Sequence, residues 1–257
     1  VSDKSQNETW WREYLLRGHH LEGLARFLFP RLPSAPRCKV CYAPFGGIGG
    51  ALLRPFGWEP SRKNPRLCAR CCERLPAGGI EMDVAVFFAD VRGYTTIAEK
   101  IPPAQLAQTL KRFYDTAIDT VIAFDGLVDK LLGDAVMALF VPGIAGADYR
   151  AQAVRAAIQL ARAIEHVCDP PLPIGIGISA GLAFVGNLGS DQVVDLTAIG
   201  DTVNIAARLQ NFASAGEILI TEELYASIAN EHHNFETRTV LLKGKEQPVA
   251  VRVLRPT

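Results

Sequence analysis

The chain has 257 residues, 49% of them hydrophobic, with 27 basic and 27 acidic side chains and a formal net charge of zero. That hydrophobic fraction excludes a disordered chain, the balanced charge argues against a bulk polyanion binder, and no apolar run approaches the roughly 20 residues of a membrane helix. The balance hides an asymmetry: residues 1–80 hold 13 basic and 6 acidic side chains (net +7), residues 81–257 hold 14 and 21 (net −7), so two parts with different work are expected.

In chain order, Trp10, Trp11, Tyr14, Leu15, Leu21, Leu24, Ala25 and Leu28 recur mostly three or four apart, which predicts an amphipathic helix within residues 1–33, interrupted near Gly18 and ended by Pro30 and Pro33. Residues 34–80 are rich in Pro, Gly and Arg and show little periodicity, so this module lacks an apolar core and needs a staple. Cys38-Lys-Val-Cys41 and Cys68-Ala-Arg-Cys71 supply one. Four thiolates in two Cys-x-x-Cys pairs suit tetrahedral zinc, with an iron–sulfur cluster as the alternative. Cys72 is a spare that could replace Cys71, and Cys168 reads as a core or loop residue. Gly46 to Gly50 lacks the Lys-Ser/Thr of a phosphate loop and reads as a flexible knuckle loop. Ser61-Arg62-Lys63-Asn64 reads equally as a solvated turn or as a contact for an acidic partner or nucleic acid, although a nucleic-acid partner is not expected for the chain as a whole. Ala77-Gly78-Gly79 makes a natural boundary.

Residues 81–257 change texture. Strands are expected over 83–90, 126–132, 135–141, 174–185 and 193–199, and helices over 103–124, 147–167 and 202–212, with Gly133-Asp134 as a tight hairpin turn. The order β-α-β-β-α-β predicts an α+β, ferredoxin-like domain. Two turns within it present a carboxylate beside small residues: Phe88-Ala-Asp90-Val91-Arg-Gly-Tyr-Thr95 and Lys130-Leu-Leu-Gly133-Asp134. On neighbouring strands, Asp90 and Asp134 would converge on a hard cation such as magnesium or manganese, which takes oxygen ligands. Singly, each is as well read as a turn or capping residue. A third segment, Thr197 to Arg208, runs from a strand through Gly200 into a helix with Asp201 as its expected N-cap. It places Asn204 and Arg208 four apart on one face, an amide and a guanidinium suited to a sugar oxygen and a triphosphate.

Together these three segments resemble the catalytic domain of class III adenylyl and guanylyl cyclases over residues 81–257. The resemblance implies that Asp90, Asp134 and the carbonyl of Val91 hold two Mg2+ or Mn2+ ions. Lys130 and Thr197 fall on the base-reading pair, and with Lys and Thr, where guanylyl cyclases tend to have Glu and Cys, it implies ATP as substrate. Asp195, on the same strand face, is the competing assignment for Thr197. Asn204 and Arg208 fall on the transition-state pair, and Lys243, with Lys245 as alternative, on the lysine loop over the triphosphate. Where some members place a phosphate-binding Arg, this chain has Leu182. The resemblance further implies a homodimer with shared sites, which converts ATP to 3′,5′-cyclic AMP and pyrophosphate by in-line attack of the ribose 3′-hydroxyl. A guanylate cyclase, or a silent cyclase-like domain that only binds nucleotide or a partner, is the alternative. A cytoplasmic signalling protein is expected, since paired cysteines outside an oxidising compartment point to metal rather than disulfides.

Overall fold

A computed structural model describes residues 2–17, 28–32, 35–61, 64–73, 75–167, 172–189, 194–231, 235–242 and 248–256. In chain order they form α1 (Ser2–Arg17), α2 (Gly47–Leu53), α3 (Ala69–Cys72), β1 (Gly78–Val91), α4 (Tyr94–Lys100), α5 (Pro103–Ala123), β2 (Leu127–Leu132), β3 (Ala135–Phe140) and α6 (Pro142–Ala145). There follow α7 (Tyr149–Val167), β4 (Ile174–Gly189), β5 (Val194–Ile199), α8 (Asp201–Phe212), β6 (Ile218–Thr221), α9 (Glu222–Ile228), β7 (Glu236–Val240) and β8 (Val249–Leu254). Two compact units emerge: residues 1–82 with 141–147 and 184–199, and residues 83–140 with 148–183 and 200–257. No described helix is long and apolar enough to cross a membrane.

The larger unit is built on a sheet of order β2-β3-β1-β4-β6-β8-β7. Its first four strands have the order of a ferredoxin-like sheet, as the β-α-β-β-α-β pattern predicts. Strand β3, an unbroken apolar run, is buried along its whole length, and it pairs antiparallel with β1 on one side and with β2 on the other. Helices α5 and α7 pack on each other and on β3. They bury Phe113, Ala117 and Val121 from α5 and Val154, Ala157, Leu160 and Ile164 from α7, at helical spacing and each worth up to ~1.5–3 kcal/mol for the larger side chains. Arg150 at the start of α7 grips Asp83 of β1 through two nitrogens, at 2.5 and 3.2 Å, and the Tyr149 hydroxyl donates to the same carboxylate. A second core, of Leu209 and Ala213 with Leu219, Val240, Leu242, Val251 and Val253, seats α8 on the β6-β8-β7 end.

In the smaller unit, α1 buries Trp11, Tyr14 and Leu15 completely. It starts earlier than its apolar spacing indicates and is described as far as Arg17; the rest of the expected helix, up to Phe27, lies outside the described residues. Two expectations are corrected. The glycines at 46–50 open helix α2 rather than a flexible loop: Gly50 N–H donates to Gly46 O at 2.9 Å. Gly50 also sits so close to the Phe45 carbonyl that a Cβ would lie 2.4 Å from it, so the glycine is there for close packing. Asp201 is not the N-cap of α8; Gly200 occupies that position and Asp201 is the exposed first helical residue.

Candidate active site and cysteine cluster

The antiparallel pairing of β1 and β3 places Asp90 opposite Ala135, and Val91 N–H donates to the carbonyl of Asp134 at 3.2 Å. Gly133 makes this possible by taking φ 64° in the β2–β3 turn, a left-handed conformation that costs glycine little. Tyr114 of α5 braces the same turn by donating its hydroxyl to the Gly133 carbonyl. The two carboxylates therefore share one end of the sheet, with the Val91 backbone between them. Burial pushes the Asp90 carboxyl up to about 6; the Arg92 guanidinium opposes this, and the charge of Asp134 adds to it. Two carboxylates beside a backbone carbonyl are a donor set that a hard divalent cation fits.

Two further side chains face Asp90, one of them far outside its motif. Gln210 of α8, buried, donates Nε2 to Asp90 Oδ2 at 2.6 Å, and Arg92 lies 4.0 Å from that oxygen. Lys130, on β2, donates to the buried Asp129 at 2.9 Å. Asn204 is exposed and Arg208 half-buried, one turn apart on α8. Thr197 lies on β5 of the smaller unit, half-buried and opposite Gly186 of β4. Leu182 is 64% exposed on β4. Lys243, Lys245 and Cys168 lie outside the described residues.

In the smaller unit the sulfurs of Cys38, Cys41, Cys68 and Cys71 all lie within 4.8 Å of one another, every one buried. Two turns present them. Cys38 opens a tight hairpin, with Cys38 N–H donating to Ala43 O and Tyr42 N–H to Cys38 O, both at 2.9 Å. Cys68 and Cys71 flank the first turn of α3, where Cys71 N–H donates to Cys68 O at 2.9 Å. Cys68 N–H points at Cys38 Sγ at 3.3 Å, and the Cys41 and Cys68 sulfurs are 3.7 Å apart. Cys72 is buried but stands outside the cluster. Donation from the Cys41, Cys68 and Cys71 thiols drives the Cys38 thiol down, whereas the sulfur contact with Cys38 drives Cys41 and Cys71 up. Four buried sulfurs gathered this closely are a donor set that tetrahedral zinc or iron fits. Tyr14 of α1 donates its hydroxyl to the Cys71 carbonyl.

The family model described as the adenylate and guanylate cyclase catalytic domain matches residues 80–254. The chain belongs to this family. Relatives include Uncharacterized protein Rv1319c of Mycobacterium tuberculosis, 34% identical over 189 residues, which are 70% of this chain and 34% of the relative. Another from the same species, Uncharacterized protein Rv1320c, is 36% identical over 69% of this chain and 32% of its own length. The chain thus spans about a third of the curated relatives it matches. Among solved structures, the guanylyl cyclase Cya2 superposes with TM-score 0.65 at 26% identity over 68% of this chain and 93% of its own. The adenylyl cyclase CyaB from P. aeruginosa gives 0.62 at 31% identity, over 68% and 95%. The cyclase domain carries a nucleotide-binding, phosphorus–oxygen lyase fold with neighbours of both substrate kinds.

Proposed function

We propose that the chain is an adenylate cyclase of the cytoplasm that works as a homodimer with two shared sites. The observation that carries the reading is the meeting of Asp90, Asp134 and the Val91 backbone at one sheet end, in a chain whose base-reading positions are Lys130 and Thr197. Asp90, Asp134 and the Val91 carbonyl hold two Mg2+ or Mn2+ ions, which supply activation of the ribose 3′-hydroxyl and charge neutralisation of the triphosphate. Lys130 donates to adenine N1, and the Thr197 hydroxyl accepts from the adenine amino group. Asn204 orients the ribose, and Arg208, fixed in charge, stabilises the negative charge that grows on the α-phosphate as the 3′-oxygen attacks and pyrophosphate leaves. Lys243 reaches the triphosphate. Asp90 and Asp134 of one protomer serve a site completed by Lys130, Thr197, Asn204 and Arg208 of its partner. The four-cysteine cluster is a structural zinc site that orders the module of residues 34–80 and regulates the dimer.

The purified chain incubated with ATP or GTP and manganese should yield cyclic AMP in preference to cyclic GMP. Absence of either product sinks the enzyme reading, and preference for GTP overturns the Lys130/Thr197 assignment. Shared sites are checked by mixing Asp90→Ala with Arg208→Ala protein: each is inactive alone, and the mixture regains activity only if the sites are built across two chains.

A further inference from the structure

Asp90 carries two oxygens, and the fold holds one of them through a side chain from α8. The Oδ2 atom receives the Gln210 amide at 2.6 Å, a length at the short end for such a bond, as expected when the acceptor is charged. Gln210 itself is held. It is 4% exposed, and its backbone carbonyl accepts from an Arg92 guanidinium nitrogen at 2.8 Å. Arg92 is in turn anchored by its N–H to the Pro173 carbonyl at 2.5 Å, and it lies over Gly175, where a Cβ would come 2.5 Å from its Nε. The amide is thus an oriented donor with its own support, and a neutral one, which can fix a carboxylate without competing for its charge.

We propose that Gln210 is a positioning residue for metal binding: it pins Oδ2 of Asp90 so that Oδ1 is presented to the cation together with Asp134. This rests on the reading of Asp90 as a metal ligand. It also gives α8 two tasks, since the helix that carries Asn204 and Arg208 holds the metal carboxylate of its own chain two residues farther on. In the shared-site dimer those two ends belong to different active sites.

The test is Mn2+ binding to the full chain without nucleotide, read from the loss of the free-ion electron paramagnetic resonance signal. Steady-state kinetics and thermal melting are run in parallel. Gln210→Met keeps the volume and removes the donor; Gln210→Asn keeps the amide but ends one methylene short of Asp90. Both should weaken Mn2+ binding about tenfold, the effect of losing one charge-assisted hydrogen bond. The metal concentration for half-maximal rate should rise in parallel, with kcat at saturating metal much less affected. Folded variants that bind Mn2+ within about twofold of the wild type, or that lose kcat with metal affinity unchanged, overturn the proposal. Asp90→Asn separates the two levels of inference: if it binds Mn2+ as the wild type does, the metal-ligand reading itself fails.

Discussion

Replacing Gly177 with alanine should lift α8 off the sheet and disable the chemistry without replacing any residue of the site. A Cβ at Gly177 would lie 2.1 Å from Gln210 N, 2.4 Å from Ala206 O and 2.7 Å from Gln210 Cα. All three are helix backbone atoms, so no side chain can rotate away. To restore a 3.4 Å contact, helix and strand must part by about 1.3 Å. Such overpacking costs about 1–3 kcal/mol, here at the upper end because backbone must move, and each kcal/mol lowers the melting temperature of a chain this long by about 2–4 °C. A displacement of about 1 Å at Asn204 and Arg208 is worth on the order of 100-fold in rate. Differential scanning fluorimetry gives the first quantity, and initial rates of cyclic nucleotide formation at saturating nucleotide and manganese give the second. A Gly177→Ala protein with wild-type melting temperature and wild-type kcat refutes the reasoning.

Three further outcomes are expected. Glu217, with a side chain only 5% exposed, takes both nitrogens of Arg238 at 2.8 Å and Arg255 at 2.7 Å, and the Arg238 hydrogen bonds hold its carboxyl down at about 2 against an ordinary 4.5. Because the folded pKa is the lower one, its contribution is complete above pH 4.5 and is lost as pH falls towards 2; Glu217→Gln should cost about 2–3 kcal/mol at neutral pH and flatten the stability slope across that acid window, as read by denaturant titrations at stepped pH. Removal of the metal from the cysteine cluster by a strong chelator should make Cys38, Cys41, Cys68 and Cys71 reactive to a thiol reagent and melt the module; a chain without bound zinc or iron by elemental analysis, or one that melts identically after chelation, refutes the site. Tyr114→Phe removes the brace on the Gly133 carbonyl and should raise the manganese requirement about threefold, the size of one ordinary hydrogen bond; an unchanged requirement would show that the turn holds Asp134 unaided.

Local chemistry made much of this legible in the sequence. The Gly133-Asp134 turn, the apolar run of β3 and the three- and four-residue spacing of α5 and α7 are short-range signals, and the structure reproduces them. So is the Cys-x-x-Cys spacing, which brings four sulfurs together across 33 residues of otherwise patternless chain. What escaped depends on partners far away. The Gln210 amide meets Asp90 across 120 residues, and nothing in Arg208-Leu-Gln210 announces it, because the contact exists only once α8 lies on the sheet. Gly78-Gly79 looks like a boundary, yet β1 begins there: a Cβ at Gly79 would lie 2.4 Å from the Val185 carbonyl, so the glycine marks the touch of two backbones rather than a turn. The glycines of α2 mislead for the same reason.

The bond from Tyr14 to the Cys71 carbonyl gives the smaller unit a mechanical character. Tyr14 is wholly buried, between Trp11 and Leu15 on the inner face of α1, and the carbonyl it holds belongs to a residue whose sulfur completes the cluster. If the four sulfurs hold a metal ion, a pull along α1 would be felt at the backbone of a ligand residue, and the ion, by stiffening that backbone, would firm the seat of the helix. Helix and cluster would then be mechanically joined, and the force needed to peel the helix away would differ between the metal-loaded and the metal-free chain.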